Sequence, residues 1–257
     1  MDTLLIAVVA CAASLLTFFS GFGLGTLLLP AFALYFPVEA AVMMTAVVHL
    51  ANNLFKLGLM YRHVERSVVL RFGLPALIAA WFGAALLIRL SQHPALVQYQ
   101  LLGRSAEITW TGLVVGALML AFALRELLAP SVRAGVQPKW LPLGGLMSGF
   151  FGGLSGHQGA LRSAFLIGCG MSKETFVATG VTIACLVDVS RLSHYLPSMH
   201  TLNDRATLLP MLVAVGAAFL GALAGRRLLQ KVTLAFLHRM VGVLLLIVGA
   251  ALMAGVL

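Results

Sequence analysis

Eight apolar stretches divide this chain, and they decide what it can fold into. They run roughly over residues 3–36, 40–61, 68–90, 108–128, 141–171, 175–196, 206–229 and 234–257, most of them near the ~20 residues that cross a bilayer as a helix. None shows the strict alternation of a membrane β-barrel strand. With 61% of residues hydrophobic, 10% charged and a mean hydropathy of +1.02, the chain is too apolar for a soluble domain. The sequence therefore predicts an all-α polytopic membrane protein. Its longest polar connections, about 91–107, 129–140 and 197–205, are too short for a soluble catalytic domain, which puts function inside the helical bundle.

The amino terminus does not read as a cleaved signal, because Asp2 stands where a basic region is usual and the apolar run continues too far. It reads as a retained membrane segment. Cys11, Cys169 and Cys185 lie in apolar stretches without paired spacing, so they are expected to pack, with no disulfide, metal site or cofactor. The formal charge of +9 comes from Lys and Arg scattered through short loops. No basic stripe interleaved with aromatics suggests nucleic acid, and the bilayer is the expected environment.

Length and charge together predict the topology. The first stretch, about 34 residues, would be roughly 50 Å long as one helix, against a hydrocarbon core of about 30 Å. The first and fifth stretches are expected to break or turn back at Ser20-Gly-Phe-Gly-Leu-Gly25 and Gly152-Gly-Leu-Ser-Gly-His-Gln-Gly159. With both turning back, one side of the membrane receives Arg62, Arg66, Arg71, Arg125, Arg133, Lys139, Lys173, Arg226, Arg227, Lys231 and Arg239. The other receives Arg89, Arg104, Arg191 and Arg205. The positive-inside rule makes the first side cytoplasmic and both termini non-cytoplasmic.

Each half then has the same order, a glycine-interrupted stretch followed by three ordinary spans. The division is a first repeat over 1–128, a cytoplasmic linker over 129–140 and a second repeat over 141–257. An offset of 134 residues pairs Gly25 with Gly159, Thr45 with Thr179, Val47 with Val181 and Tyr61 with Tyr195. Three net crossings per half predict inverted repeats, a common plan of secondary transporters with discontinuous helices. A parallel arrangement is the alternative.

The chain resembles the sulfite exporter TauE/SafE family of membrane proteins over nearly its whole length. In the first half the likeness rests on Gly21-Phe-Gly-Leu-Gly-Thr-Leu-Leu-Leu-Pro30 and Pro37-Val-Glu-Ala-Ala-Val-Met-Met-Thr45. In the second it rests on Gly152-Gly-Leu-Ser-Gly-His-Gln-Gly-Ala-Leu-Arg162 and Met171-Ser-Lys-Glu-Thr-Phe-Val-Ala-Thr-Gly180. The resemblance implies export of a small anion such as sulfite or an organosulfonate across a bacterial inner membrane. His157, Gln158 and Arg162 depart from the family's glycine-rich pattern.

The residues themselves suggest an anion site. Short helices beginning after Gly25 and after Gly159 would present free backbone N–H groups and a positive dipole end. Ser155, His157 and Gln158 share the second break with Arg162, a guanidinium at membrane depth whose planar fork suits sulfite, sulfonate or carboxylate oxygens. Gly21, Gly23, Gly149, Gly153 and Gly156 have the competing role of close helix packing. His49, Asn52, Asn53 and Lys56 follow at i, i+3, i+4 and i+7, on one helical face. They line the site or, alternatively, form interhelical hydrogen bonds, with Lys56 snorkelling toward Tyr61.

Asp188 and Arg191 are spaced for an ion pair, and Asp188, His49 or His157 is a candidate for proton coupling. An anion channel is a second reading, and homo-oligomerisation is compatible with either. An intramembrane enzyme using His or Asp as acid or base lacks any HExxH helix or nucleophile elbow.

Overall fold

A computed structural model describes residues 2–18, 24–101, 104–128, 135–197, 204–228 and 234–257. The first stretch is divided into α1 (Asp2–Leu16) and α2 (Leu24–Ala33). Gly21 and Gly23, in the proposed first break, lie outside the described residues. There follow α3 (Val38–Met60), prolonged by a 3-10 turn over Tyr61–His63, then α4 (Arg66–Ser91), with a π-helical turn at Val69–Gly73, and α5 (Trp110–Leu128). The second half repeats this order with α6 (Leu141–Ser155), α7 (Gly159–Ile167), α8 (Lys173–Tyr195), α9 (Arg205–Leu228) and α10 (Leu234–Met253). Of the expected linker, 129–134 lies outside the described residues, and Pro138–Trp140 forms a 3-10 turn entering α6.

Among the described residues, five segments are long and apolar enough to cross a membrane: Val38–His63, Arg66–Ser91, Trp110–Leu128, Lys173–Tyr195 and Arg205–Gly225. Thr3–Leu16, Leu24–Ala33 and Arg239–Met253 are apolar but shorter. Leu70, Ile78, Phe82, Leu212 and Leu220 are all more than half exposed, while Arg162, Asp188 and Arg191 are buried. Apolar outside and charged inside is the pattern of a bundle solvated by lipid. The chain is a multi-pass membrane protein.

Among the described residues, the all-helical expectation has one exception. The connection after α4 forms an antiparallel hairpin, β1 (Val97–Leu101) with β2 (Arg104–Ile108), in which Val97 faces Ile108. Gln98 donates to Glu107 across it at 3.1 Å, and the Glu107 amide donates to the Gly255 carbonyl at 3.0 Å. The Tyr99 hydroxyl also reaches the Ala254 carbonyl. The hairpin thus docks on the end of α10, and this tertiary support offsets the weakness of a lone two-stranded ribbon.

The halves pack reciprocally. α1 lies on α9 and α6 on α4, while α3 meets α8 and α5 meets α10. Glycines set the closest approaches. Gly145, Gly149 and Gly153 form one stripe on α6, and a Cβ at each would stand 2.2, 2.1 and 2.0 Å from the carbonyl oxygens of Phe72, Ala76 and Ala80 on α4. Gly221 of α9 meets the Cys11 carbonyl of α1 in the same way, at 2.1 Å. Small residues at i, i+4 and i+8 are what lets membrane helices approach backbone to backbone.

Candidate functional site

α6 stops because Gly156 takes a left-handed conformation, φ +78°, which a side chain would resist. Its end is not left to water. The Gly156 amide donates to the Gly152 carbonyl at 2.9 Å, which also accepts from Arg191 Nη1 at 3.2 Å, and the Tyr195 hydroxyl donates to the Gly153 carbonyl. Two α8 side chains therefore cap the carbonyl end that the break exposes. Three residues later the chain re-enters a helix at Gly159, at the start of α7.

Gly25 lies within the first turn of α2 and sits against this second break. A Cβ there would lie 3.5 Å from the Gly156 carbonyl, 3.6 Å from His49 Cδ2 and 3.8 Å from Thr45 Cγ2. The two interrupted segments, far apart in sequence, meet across α3. Thr45 Oγ1 is buried beside this junction without a hydrogen-bond partner.

Asp188 of α8 is the hub. Its Oδ2 lies 2.6 Å from His49 Nδ1. Its Oδ1 accepts from Gln158 Nε2 at 3.1 Å and Arg191 Nε at 3.0 Å, with Arg191 Nη2 at 2.8 Å. Gln158 extends the network by accepting from Arg162 Nη1 at 3.1 Å. The expected Asp188–Arg191 pair is present, and Gln158 links Arg162 to Asp188. Arg162 Nε would lie 3.5 Å from a Cβ at Gly180, so α8 is small where the guanidinium passes.

The polar face of α3 is buried throughout: His49, Asn52, Asn53 and Lys56 are each at most 8% exposed. The Asn53 amide nitrogen is 3.3 Å from His49 Nε2. Asn52 satisfies its neighbours in one amide orientation, donating to Ser14 Oγ at 2.9 Å and the Ala218 carbonyl at 3.2 Å while accepting from Lys56 Nζ at 3.2 Å. Asn52 therefore ties α3 to α1 and α9. Lys56 does not snorkel toward Tyr61, which is 58% exposed. Its ammonium lies 5.3 Å from the Phe18 ring centroid, a cation–π contact inside the bundle. It is also near enough to Arg162 for their charges to interact.

The polar triplet of the second break divides. Gln158 joins the Asp188 network, and its carbonyl accepts from Ser148 Oγ at 2.9 Å. Ser155 and His157 face the other way: His157 Nδ1 lies 3.1 Å from Ser155 Oγ, and its ring stacks on Phe122 of α5 at 5.3 Å. The residues brought together are thus Gly25, His49, Asn53, Gln158, Arg162 and Asp188, with Lys56 and Asn52 a turn or two along α3. Gly159 starts the helix that carries Arg162.

Sequence reasoning missed the capping role of Arg191, the place of Thr45, and Glu126 of α5 as a buried carboxylate. Arg191 carried a signal in its spacing from Asp188, whereas Glu126, near a helix end and beside Arg125, carried none.

The family model for the sulfite exporter TauE/SafE matches residues 5–252. Neither a curated protein nor a solved structure matches significantly.

Proposed function

The chain belongs to the sulfite exporter TauE/SafE family, and from that premise we propose that it is a secondary transporter. Its cargo is a small oxyanion, sulfite or an organosulfonate, exported across the inner membrane by alternating access. The observation that carries this reading is charge. Lys56, Arg162 and Arg191 are buried in the neighbourhood of Asp188, so three basic side chains gather inside the bundle. Basic side chains held away from water favour an anion among them, so a visiting anion is stabilised there by electrostatics as well as by hydrogen bonds.

In this reading Arg162 is the principal contact, with Lys56 adding charge. The Gly25 segment supplies backbone N–H groups at a helix start. The unpartnered Thr45 hydroxyl is a further donor toward the junction. Asp188 orients the cations rather than shuttling a proton, since both its oxygens already accept from His49, Gln158 and Arg191. Gln158, held by Arg162 on one side and Asp188 on the other, links the broken segment to α8. The halves act as inverted repeats whose relative rocking opens the site to each side in turn.

In proteoliposomes, sulfite and small sulfonates are expected to show saturable flux with counterflow and without chemical conversion. Flux that never saturates would support a channel instead, and chemical conversion an enzyme. For the topology, both termini non-cytoplasmic, a cysteine introduced at the exposed Ser67 should react with impermeant maleimide only from the cytoplasmic side. Labelling from outside would overturn the inverted arrangement.

A further inference from the structure

Gln158 places a neutral amide between a buried cation and a buried carboxylate. Its Oε1 accepts from Arg162 Nη1 at 3.1 Å, and its Nε2 donates to Asp188 Oδ1 at 3.1 Å. These partners settle the orientation of the amide, because a guanidinium only donates and an ionised carboxylate only accepts. The residue is 1% exposed, so water does not compete for either end.

The fold holds Gln158 there from several directions. It precedes the first residue of α7, so Arg162 stands one helical turn beyond it at i+4. Its backbone carbonyl accepts from Ser148 Oγ at 2.9 Å and from the Arg162 amide at 3.1 Å. The side-chain stem passes where Gly152 leaves room: a Cβ at Gly152 would stand 2.8 Å from Gln158 Cβ and 3.1 Å from Val187 Cγ1. Backbone, stem and both ends of the amide are each held.

The ion pairs of Asp188 among the described residues are with Arg191 at 2.8 Å and His49 at 2.6 Å. Arg162 is near enough for its charge to interact with Asp188, and attraction between opposite charges grows in a low-dielectric interior. Drawn into direct contact, Arg162 would commit its fork of donors to the carboxylate. An arriving anion would then have to displace Asp188 first. The amide satisfies both groups and carries no net charge.

We propose that Gln158 is a positioning residue, a neutral spacer that keeps the Arg162 guanidinium off Asp188 and so leaves it able to bind a small oxyanion. This role rests on the reading of Arg162 as the anion contact. What matters is the bulk of the side chain between the two charges as well as its hydrogen bonds, and substitutions that keep one and remove the other tell them apart.

Equilibrium binding of radiolabelled sulfite to the full-length protein in detergent provides the test. Gln158→Ala clears the way between the two charges and should weaken binding about tenfold or more. Adding Asp188→Asn should recover most of that loss, although the same substitution alone weakens binding by loosening Arg191 and His49. A merely structural role for Gln158 would instead make the two losses add. Gln158→Met keeps the length of the side chain without the amide, so its melting temperature should fall while its affinity stays within about threefold of wild type. Unchanged affinity in Gln158→Ala, additive losses in the double variant, or a loss of about tenfold in Gln158→Met would each overturn the spacer. If Gln158→Ala does not elute as a monodisperse species, Gln158→Met decides alone. Sulfite bound by none of these proteins also overturns it. Failure of the transporter reading shows separately, as wild-type protein that binds sulfite in detergent but passes none across proteoliposomes.

Discussion

Arg162→Ala is expected to lower sulfite or sulfonate counterflow by about 10- to 100-fold, the loss of a charge-assisted hydrogen bond of about 1.5–3 kcal/mol. The fold should survive, because Asp188 keeps His49, Gln158 and Arg191. Removing one buried cation also weakens the attraction for an anion. Arg162→Lys should recover only part of the flux, since an ammonium restores charge but not a planar fork that can grip two oxygens while also meeting Gln158. Monodisperse elution in detergent would separate a binding defect from a folding one. Wild-type flux in both variants would show that the anion is held elsewhere.

The parts of this site that the sequence exposed are those governed by local periodicity. His49 to Lys56 shared a face because helix spacing placed them there, and Asp188 met Arg191 because i, i+3 residues are neighbours. Helix length required a break in the first stretch, and the division of charge asked for its counterpart in the fifth. The split of Ser155 and His157 from Gln158 was not legible, because it depends on how one left-handed residue, Gly156, redirects the chain.

The alternative of a snorkelling Lys56 fails for a related reason. A lysine near a helix end normally snorkels, and only the approach of Phe18 and the orientation of Asn52 keep it inside. The hairpin over 97–108 also escaped the sequence reading. Its stability comes from contacts with Ala254 and Gly255, a partner at the far end of the chain.

Glycine is the residue whose meaning changed most between sequence and structure, and it yields the second large effect. Gly153→Ala would place a methyl group 2.0 Å from the Ala80 carbonyl oxygen, backbone against backbone, where no side chain can swing aside. α4 and α6 would have to separate by more than about 1 Å, an overpacking cost of about 1–3 kcal/mol or more. The melting temperature in detergent should fall by several degrees to about 10 °C.

Gly180→Ala supplies the contrast, since its methyl group would meet Arg162 Nε at an ordinary 3.5 Å. It should melt near wild type while reducing anion flux. If Gly153→Ala melted like wild type, the close α4–α6 contact would be wrong. The two glycines thus separate the alternatives that the sequence left open: one stripe lets α6 lie flat on α4, while Gly180 leaves α8 small where Arg162 passes. Because α6 carries the break that leads to Gln158 and Arg162, its packing on α4 bears on where Arg162 stands relative to Asp188.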